Sequence, residues 1–527
     1  MKKTLLIIFS VIVPIFAFSQ GTNREELEKE LRKLSMAHVA ISSLYVDDVN
    51  LNKLTEDAIN GMLSKLDPHS SYTNAEETKR MNEPLKGNFD GIGIQFNILE
   101  DTLLVIQPTA KGPSEKVGIM AGDRITHVND TCIAGVKMSR EEIMRRLRGL
   151  KGTKVKLGVL RSGIKDTLQF VVIRDKIPVN TVDAAYMITP TVGLIRLASF
   201  GSTSHNEIKT AIRQLKENGM IDLILDLQQN GGGYMDAATN IANEFLYKDD
   251  LIVYTQGLRT PYKEFRCKGN GEFQKGRIMV LVDEYSASAS EILAGAIQDQ
   301  DRGYIIGRRT FGKGLVQRPL PLPDGSMIRL TIARYYTPSG RCIQKPYTMG
   351  DKKKYNMDVL ERFNNGELTN IDSIHFPDSL KYTTLREKRT VYGGGGVMPD
   401  YFIPLDTTRY TKLYRELSAK GAILNASLKY IDKNRKKIKK LYPSFEDYKK
   451  GYEIPQSLID AVLSEGEKFN VKPKDDEEKN NTITELQLQL KALIARDLWD
   501  MSEYFAIIYD KNPFVKKALE LLSEKKN

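Results

Sequence analysis

Apolar positions change their period several times along this chain, and each change marks a different kind of element. Between residues 23 and 84, Leu27, Leu31 and Leu34 recur at three- and four-residue spacing among charges, the pattern of helices with one apolar stripe. The turn Leu66-Asp67-Pro68-His69-Ser70-Ser71-Tyr72 interrupts this helical leader. From 85 to 176 the period shortens. Gly91-Ile92-Gly93-Ile94-Gln95-Phe96 leads into β-like runs at 103–106, 155–160 and 167–173, with a tight turn at 118–123. Residues 139–147 read as one short helix, and Ser139 with Glu142 fits a capping box that satisfies free backbone donors at its start.

From 178 to 346 the pattern is α/β. Apolar runs at 192–197, 223–227, 278–282 and 304–306 alternate with helical stretches at 205–216, 234–245 and 289–297, as βαβ units require. Residues 348–392 are charged and poor in strand signals, which predicts a surface excursion. Four glycines, Gly393 to Gly396, then return the chain to Val397-Met398-Pro399-Asp400. Beyond residue 408 the chain is lysine-rich and helical, including 486–501 with its apolar positions on one side. No internal repeat is present.

With 527 residues the chain exceeds one core and suggests roughly three to four domains. Hydrophobic residues make up 41% and charged ones 28%, an ordinary globular balance. The net charge of +11 is dispersed through the helices rather than gathered with aromatics, which excludes nucleic acid as the expected partner. Lys2 and Lys3 precede an apolar run from Leu5 to Phe18, and Ala17-Phe18-Ser19 offers small residues for cleavage before Gln20. Residues 1–19 therefore read as a signal peptide. The mature chain is expected to be exported and periplasmic, with association at the periphery of a membrane left open. No cysteine follows the apolar run, so lipid attachment there is not expected. In an oxidising compartment Cys132, Cys267 and Cys342 could give one disulfide and one free thiol, in a pairing that sequence leaves open.

The candidate chemistry lies in three places. Ser288, in Ser286-Ala287-Ser288-Ala289-Ser290-Glu291, follows the apolar run 278–282 at a strand-to-helix turn. Its hydroxyl could simply cap the helix, since Ser288 and Glu291 have capping-box spacing. Flanking alanines, however, leave room for a substrate, and the helix start offers the Ala289 N–H where charge would develop on an attacked carbonyl. Lys313, in Phe311-Gly312-Lys313-Gly314, sits among apolar neighbours. Shielding disfavours its charged form, so it could serve as general base toward a serine. Residues 307–313 also match a phosphate loop, but Gly314 stands where magnesium binding needs Ser or Thr, and the following stretch reads as a strand. Gln317 could orient the amine. The third place is Gln228-Gln229-Asn230-Gly231-Gly232-Gly233, where glycines let backbone approach a ligand. The five histidines are scattered without zinc spacing, and His69 is the one that could join a serine–histidine triad.

Together these motifs resemble the C-terminal processing peptidases, or tail-specific proteases: serine in S-A-S-A-S-E, lysine in F-G-K-G, glutamine four residues on, and D-L-x-x-N-x-G-G upstream. The likeness covers roughly residues 53–406. It implies a multidomain α/β protein, with a crotonase-like peptidase core, an inserted, mostly β PDZ domain and helical N- and C-terminal regions. Expected boundaries are 1–19 signal peptide, 20–84 N-terminal helical region, 85–177 PDZ domain, 178–347 peptidase core, 348–392 charged insertion, 393–407 return to the core and 408–527 C-terminal helical region.

Carried onto matching positions, the resemblance makes Ser288 nucleophile, Lys313 general base and Gln317 its orienting partner, with Gly232 and Ala289 as oxyanion donors. Gly91, Ile92, Gly93 and Ile94 become the loop that binds a peptide carboxylate, beside a groove walled by the helix at 139–147. The Asp67-Pro68-His69-Ser70 turn is given a structural role. The implied partners are proteins or peptides with exposed C-terminal tails, and the helical termini could serve a homodimer or an adaptor. No metal, nucleotide or organic cofactor is implied. The chain departs from relatives at Gly231, where proline is frequent, and at Cys342, where serine is. The competing reading is a non-catalytic scaffold that uses only the PDZ groove.

Overall fold

Strands that are apolar on both sides need cover on both faces, and this requirement organises the molecule. The computed structural model describes residues 24–524, so the expected signal peptide lies outside the described residues. The described residues separate into two compact units, 24–66 and 67–524. In the first, helices Arg24–Leu44 and Leu51–Leu63 are described, the second capped by Asn50. The Asp67-Pro68-His69 turn, which the sequence places inside a helical leader, begins the larger unit. Strand Ser71–Thr73 pairs there with Met327–Tyr336, so tertiary pairing overrides the helical pattern.

The core of the larger unit is a six-stranded sheet in the order Val182–Met187, Val192–Leu197, Asp222–Asp226, Ile278–Val282, Tyr304–Gly307, Tyr401–Phe402. All neighbours except the first pair run parallel. One face carries Ile195, Leu225, Val280 and their neighbours against helices Ser204–Glu217, Met235–Ala242 and Ala289–Asp299. The other face carries Leu194, Ile224, Met279, Leu281 and Ile306. It is covered by Phe505 and Tyr509 with Phe514, Val515 and Ala518 of helix Pro513–Ser523. Helix Pro513–Ser523 is thus part of the layer that covers the second face of the core sheet, consistent with the buried nature of parallel sheets.

A second, five-stranded sheet joins Ser71–Thr73, Leu251–Gly257, Thr260–Arg266, Leu315–Pro321 and Met327–Tyr336, and it carries the segment after Lys313. Between residues 94 and 173 lies a separate six-stranded antiparallel sheet with helix Arg140–Leu147, the inserted β domain that was expected. Strand Ile94–Leu99 is its edge. The sheet's outer residues Leu99, Leu104 and Ile106 pack against Leu424 and Leu428 of helix Ala422–Leu441, where Arg124 also meets Asp432 at 2.7 Å. The remaining C-terminal helices bury their own core around Leu417, Tyr448, Leu486 and Leu490.

Segment 348–392 differs from the expected surface excursion. It contains helix Lys352–Asn364, whose Tyr355 and Arg362 are buried, and a hairpin Lys381–Thr383/Thr390–Tyr392. All three cysteines are free thiols, so the disulfide that three cysteines allowed is not formed among the described residues. No described helix is long and apolar enough to cross a membrane.

Candidate active site

Strand Ile278–Val282 delivers the chain into a turn fastened by its own polar side chains. Asp283 Oδ1 accepts the N–H groups of Gln229, Tyr285 and Ser286 at 3.0, 3.0 and 3.1 Å. Ser286 Oγ donates to Leu227 O at 2.8 Å, and Asn230 O accepts both Ala287 N–H at 3.0 Å and Ser290 Oγ at 2.8 Å. The glutamine–glycine loop after Asp222–Asp226 and the serine turn are therefore one knitted structure. At its apex Ser288 adopts φ 57° and ψ −110°, outside the ordinary regions for a residue with a Cβ. Such an outlier persists only where its surroundings hold it, and it is a pointer to function.

Gly232 packs directly on this apex. Its φ of +97° favours glycine, and a Cβ there would fall 2.6 Å from Ala287 O and 2.9 Å from Ser288 Cβ. The structure thus brings the loop to the serine. The Gly232 N–H, one of the two expected oxyanion donors, is at present donated to Asn230 Oδ1 at 2.9 Å. The other, on Ala289, is the first of its helix, where N–H groups lack an intrahelical partner.

Lys313 lies in the loop that leaves core strand Tyr304–Gly307 and leads into Leu315–Pro321 of the second sheet. Its Nζ donates to Gln317 Oε1 at 3.0 Å, and Gln317 Nε2 donates in turn to His69 O. Because the His69 carbonyl can only accept, the amide of Gln317 is fixed with its oxygen toward the amine. No hydrogen bond joins Lys313 Nζ to Ser288 Oγ among the described residues. Burial pulls the Lys313 pKa below its ordinary 10.5, against the raising charges of Glu291 and Asp67. The lysine is therefore easier to neutralise than one in water.

The His69 turn, given a structural role from the sequence, bonds both Gln317 and the 348–392 segment. Asp67 holds the turn, accepting from Ser70 Oγ at 2.5 Å and from Thr331 Oγ1 at 2.8 Å. The His69 ring lies 2.9 Å from the Tyr355 hydroxyl of the 348–392 segment, not on the serine. Burial, then the charge of Lys313, pull its pKa down to about 3, so the ring is neutral at working pH. Lys345 packs its amine over the rings of Phe311 and Tyr355, at 3.9 and 4.2 Å from their centres. Arg362 donates to Thr310 O at 3.1 Å and Arg309 O at 2.6 Å. The insertion thereby pins the lysine loop from behind.

Glu291 does more than cap a helix. Fully buried, its carboxylate accepts from Ser288 N at 2.8 Å, Lys313 N at 2.9 Å, Gly312 N at 2.7 Å and Thr310 Oγ1 at 2.6 Å. Burial raises its pKa, and these donors counter the rise. The capping-box spacing was visible in sequence, but the second loop it binds was not.

In the β domain, Ile92 O accepts Ser114 N–H and Oγ at 3.0 and 2.7 Å, and Gly93 O accepts Thr109 N–H at 3.0 Å. These bonds shape the Gly91–Ile94 loop at the start of edge strand Ile94–Leu99. Arg140, at the start of the neighbouring helix, stacks on Phe96 and donates to Phe96 O at 3.3 Å. The described residues contain no group of three or more His, Cys, Asp or Glu arranged to hold a metal ion.

Comparison with known proteins gives four family matches. Residues 191–352 match Peptidase family S41, residues 91–181 a PDZ domain and residues 16–78 the activating protease CtpB N-terminal domain. Residues 413–500 match a family of unknown function. The chain is 35% identical over 343 residues to a carboxy-terminal-processing protease of Bartonella bacilliformis, covering 64% of this chain and 78% of that protein. It is 34% identical to the carboxy-terminal processing protease CtpB of Bacillus subtilis, over 61% of this chain and 67% of that one. Among solved structures, a photosystem II D1 C-terminal processing protease is 29% identical over 61% of this chain and 91% of that chain, with TM-score 0.34. The PDZ domain of a carboxy-terminal protease from Vibrio cholerae, solved with a peptide, is 28% identical over 17% of this chain and 97% of that chain, with TM-score 0.16.

Proposed function

Because the chain belongs to the carboxy-terminal processing protease family, we propose that it is an exported serine endopeptidase that cuts proteins engaged by their C-terminal tails. The observation that carries this reading is the strained Ser288 turn tied through Glu291 to a shielded lysine whose amine is held by Gln317. Lys313, in its neutral form, takes the Ser288 proton as Oγ attacks the peptide carbonyl. The developing oxyanion is received by the Ala289 N–H, and by the Gly232 N–H once it turns from Asn230. Lys313 then passes its proton to the departing amine. It next removes a proton from the water that hydrolyses the Ser288 ester, and returns that proton to Oγ.

The substrate's tail adds a strand beside Ile94–Leu99 while N–H groups of Gly91 to Ile94 bind its terminal carboxylate. Edge position supports this, since Ile94–Leu99 pairs with one strand only, Thr102–Pro108, and among the described residues its other edge has no strand partner. Arg140 leaves Phe96 O when the peptide takes its place.

The test compares the parent with Ser288→Ala and Lys313→Ala on an unfolded protein carrying or lacking an apolar C-terminal tail. Cleavage by the parent alone, faster on the tailed substrate, is the expected result. Cleavage that persists in Ser288→Ala would sink the nucleophile assignment. Binding of the tail by all three without cleavage would favour a peptide-binding scaffold instead.

A further inference from the structure

Ser288 and Lys313 stand on different chain segments, and their relative register is set by backbone rather than by a bond between their side chains. Glu291 takes hold of that register on the amide side. A second side chain takes hold of it on the carbonyl side. Tyr335, in strand Met327–Tyr336, donates its hydroxyl to Ser288 O at 3.1 Å and to Lys313 O at closer range. Its own N–H donates to Gly314 O at 3.0 Å, so the strand also holds the loop just beyond the lysine. The residue is 1% exposed and sits in the apolar core beneath the site, out of reach of any substrate. Burial drives its phenol pKa well above 10, so the hydroxyl is a donor at every working pH.

We propose that Tyr335 is a positioning residue for the proteolytic step, its single hydroxyl holding the Ser288 and Lys313 segments in catalytic register. The inference rests on the serine–lysine reading above. Ser288 adds a reason for such a device: its backbone conformation is unfavourable, and the turn after strand Ile278–Val282 meets there the loop between strands Tyr304–Gly307 and Leu315–Pro321. A core tyrosine needed for packing alone would be replaced by phenylalanine without effect on chemistry, since the ring stays. A positioning hydroxyl would not. Losing it frees two carbonyls from a shared donor, and a displacement of about 1 Å between reacting groups costs on the order of 100-fold in rate.

Tyr335→Phe is expected to lower kcat by roughly 10- to 100-fold with KM within about twofold. A second readout separates positioning from stability. As the lysine loop relaxes outward, Lys313 regains solvent and its pKa climbs toward 10.5, so the rising limb of kcat/KM moves to higher pH. Parental kcat and an unmoved limb in a folded Tyr335→Phe protein would overturn the proposal.

Should that variant fail to fold, 3-fluorotyrosine placed at 335 keeps the ring and hydroxyl while altering donor strength. A changed kcat supports the proposal, and a parental one overturns it. Ser288→Ala run beside them keeps the two claims apart. If it abolishes cleavage while Tyr335→Phe is silent, the positioning role alone is refuted. If it still cleaves, the serine–lysine reading fails and this inference falls with it.

Discussion

Gly231 and Gly232 are adjacent, yet the structure assigns them opposite sensitivities to a single methyl group. At Gly231 a Cβ would meet nothing within 4 Å. At Gly232 it would lie 2.6 Å from Ala287 O, 2.9 Å from Ala289 N and 2.9 Å from Ser288 Cβ, at φ +97°. Ordinary contact begins near 3.4 Å, so the shortfall against Ala287 O is about 0.8 Å. The obstacle is backbone, which cannot swing away as a flexible side chain would. Left-handed backbone adds a strain of roughly 1–2 kcal/mol for a residue with a Cβ.

Relief must come from moving the glycine loop or the serine turn, and each carries a group that the proposed reaction uses. A shift of that size predicts a fall in kcat/KM of about 100-fold for Gly232→Ala. Gly231→Ala should stay within about threefold of the parent, since nothing is displaced. The assay is cleavage of an unfolded tailed protein by each variant, with thermal melts to confirm folding and phosphonate labelling of Ser288 to count competent sites. Gly232→Ala at parental kcat/KM would refute the reasoning, and so would equal losses at the two positions.

Other consequences follow from the same coordinates. Lys313→Met should lower cleavage by about 10⁴-fold. It should also change the pH dependence of stability. The folded lysine's pKa is depressed, so between that value and 10.5 the unfolded chain binds more protons and the parent gains stability as pH rises. Urea midpoints measured across alkaline pH should rise more steeply in the parent than in the variant, where the buried Lys345 and half-buried Lys491 still contribute. Gln317→Leu keeps volume but loses both the Lys313 and the His69 bonds. Its kcat should fall about 10- to 100-fold with little change in KM, and a parental kcat would show that the amine needs no holder. Phe514→Ala removes a buried ring from the outer face of the core sheet and should cost about 3–5 kcal/mol. Hydrogen exchange should then quicken in strand Ile278–Val282, whereas an unchanged exchange pattern would mean that the C-terminal helix does not support the sheet.

Local sequence settled what local physics can settle. The apolar runs at 192–197, 278–282 and 304–306 coincide with strands Val192–Leu197, Ile278–Val282 and Tyr304–Gly307. The helix after Ser288 likewise begins where its cap spacing places it. Burial on both faces made these segments near-continuous apolar runs, whose strand character needs no partner to be visible. Ser288, Lys313 and Gln317 could be singled out for a similar reason: each sits in a short motif whose proposed chemistry depends on residue type.

What tertiary structure alone decided is who meets whom. The five-stranded sheet assembles segments from residue 71 to residue 336, and no period in the sequence records that pairing. The His69 carbonyl, at the start of the larger unit, orients Gln317; Tyr355 and Arg362 of the insertion back the lysine loop; and helix Pro513–Ser523 covers the sheet. Nothing in the sequence distinguishes Tyr335 from its neighbour Tyr336, because a hydroxyl's partners lie across the fold. Side-chain identity is a property of one position, whereas a hydrogen bond between two carbonyls and a distant phenol exists only after the chain has closed on itself.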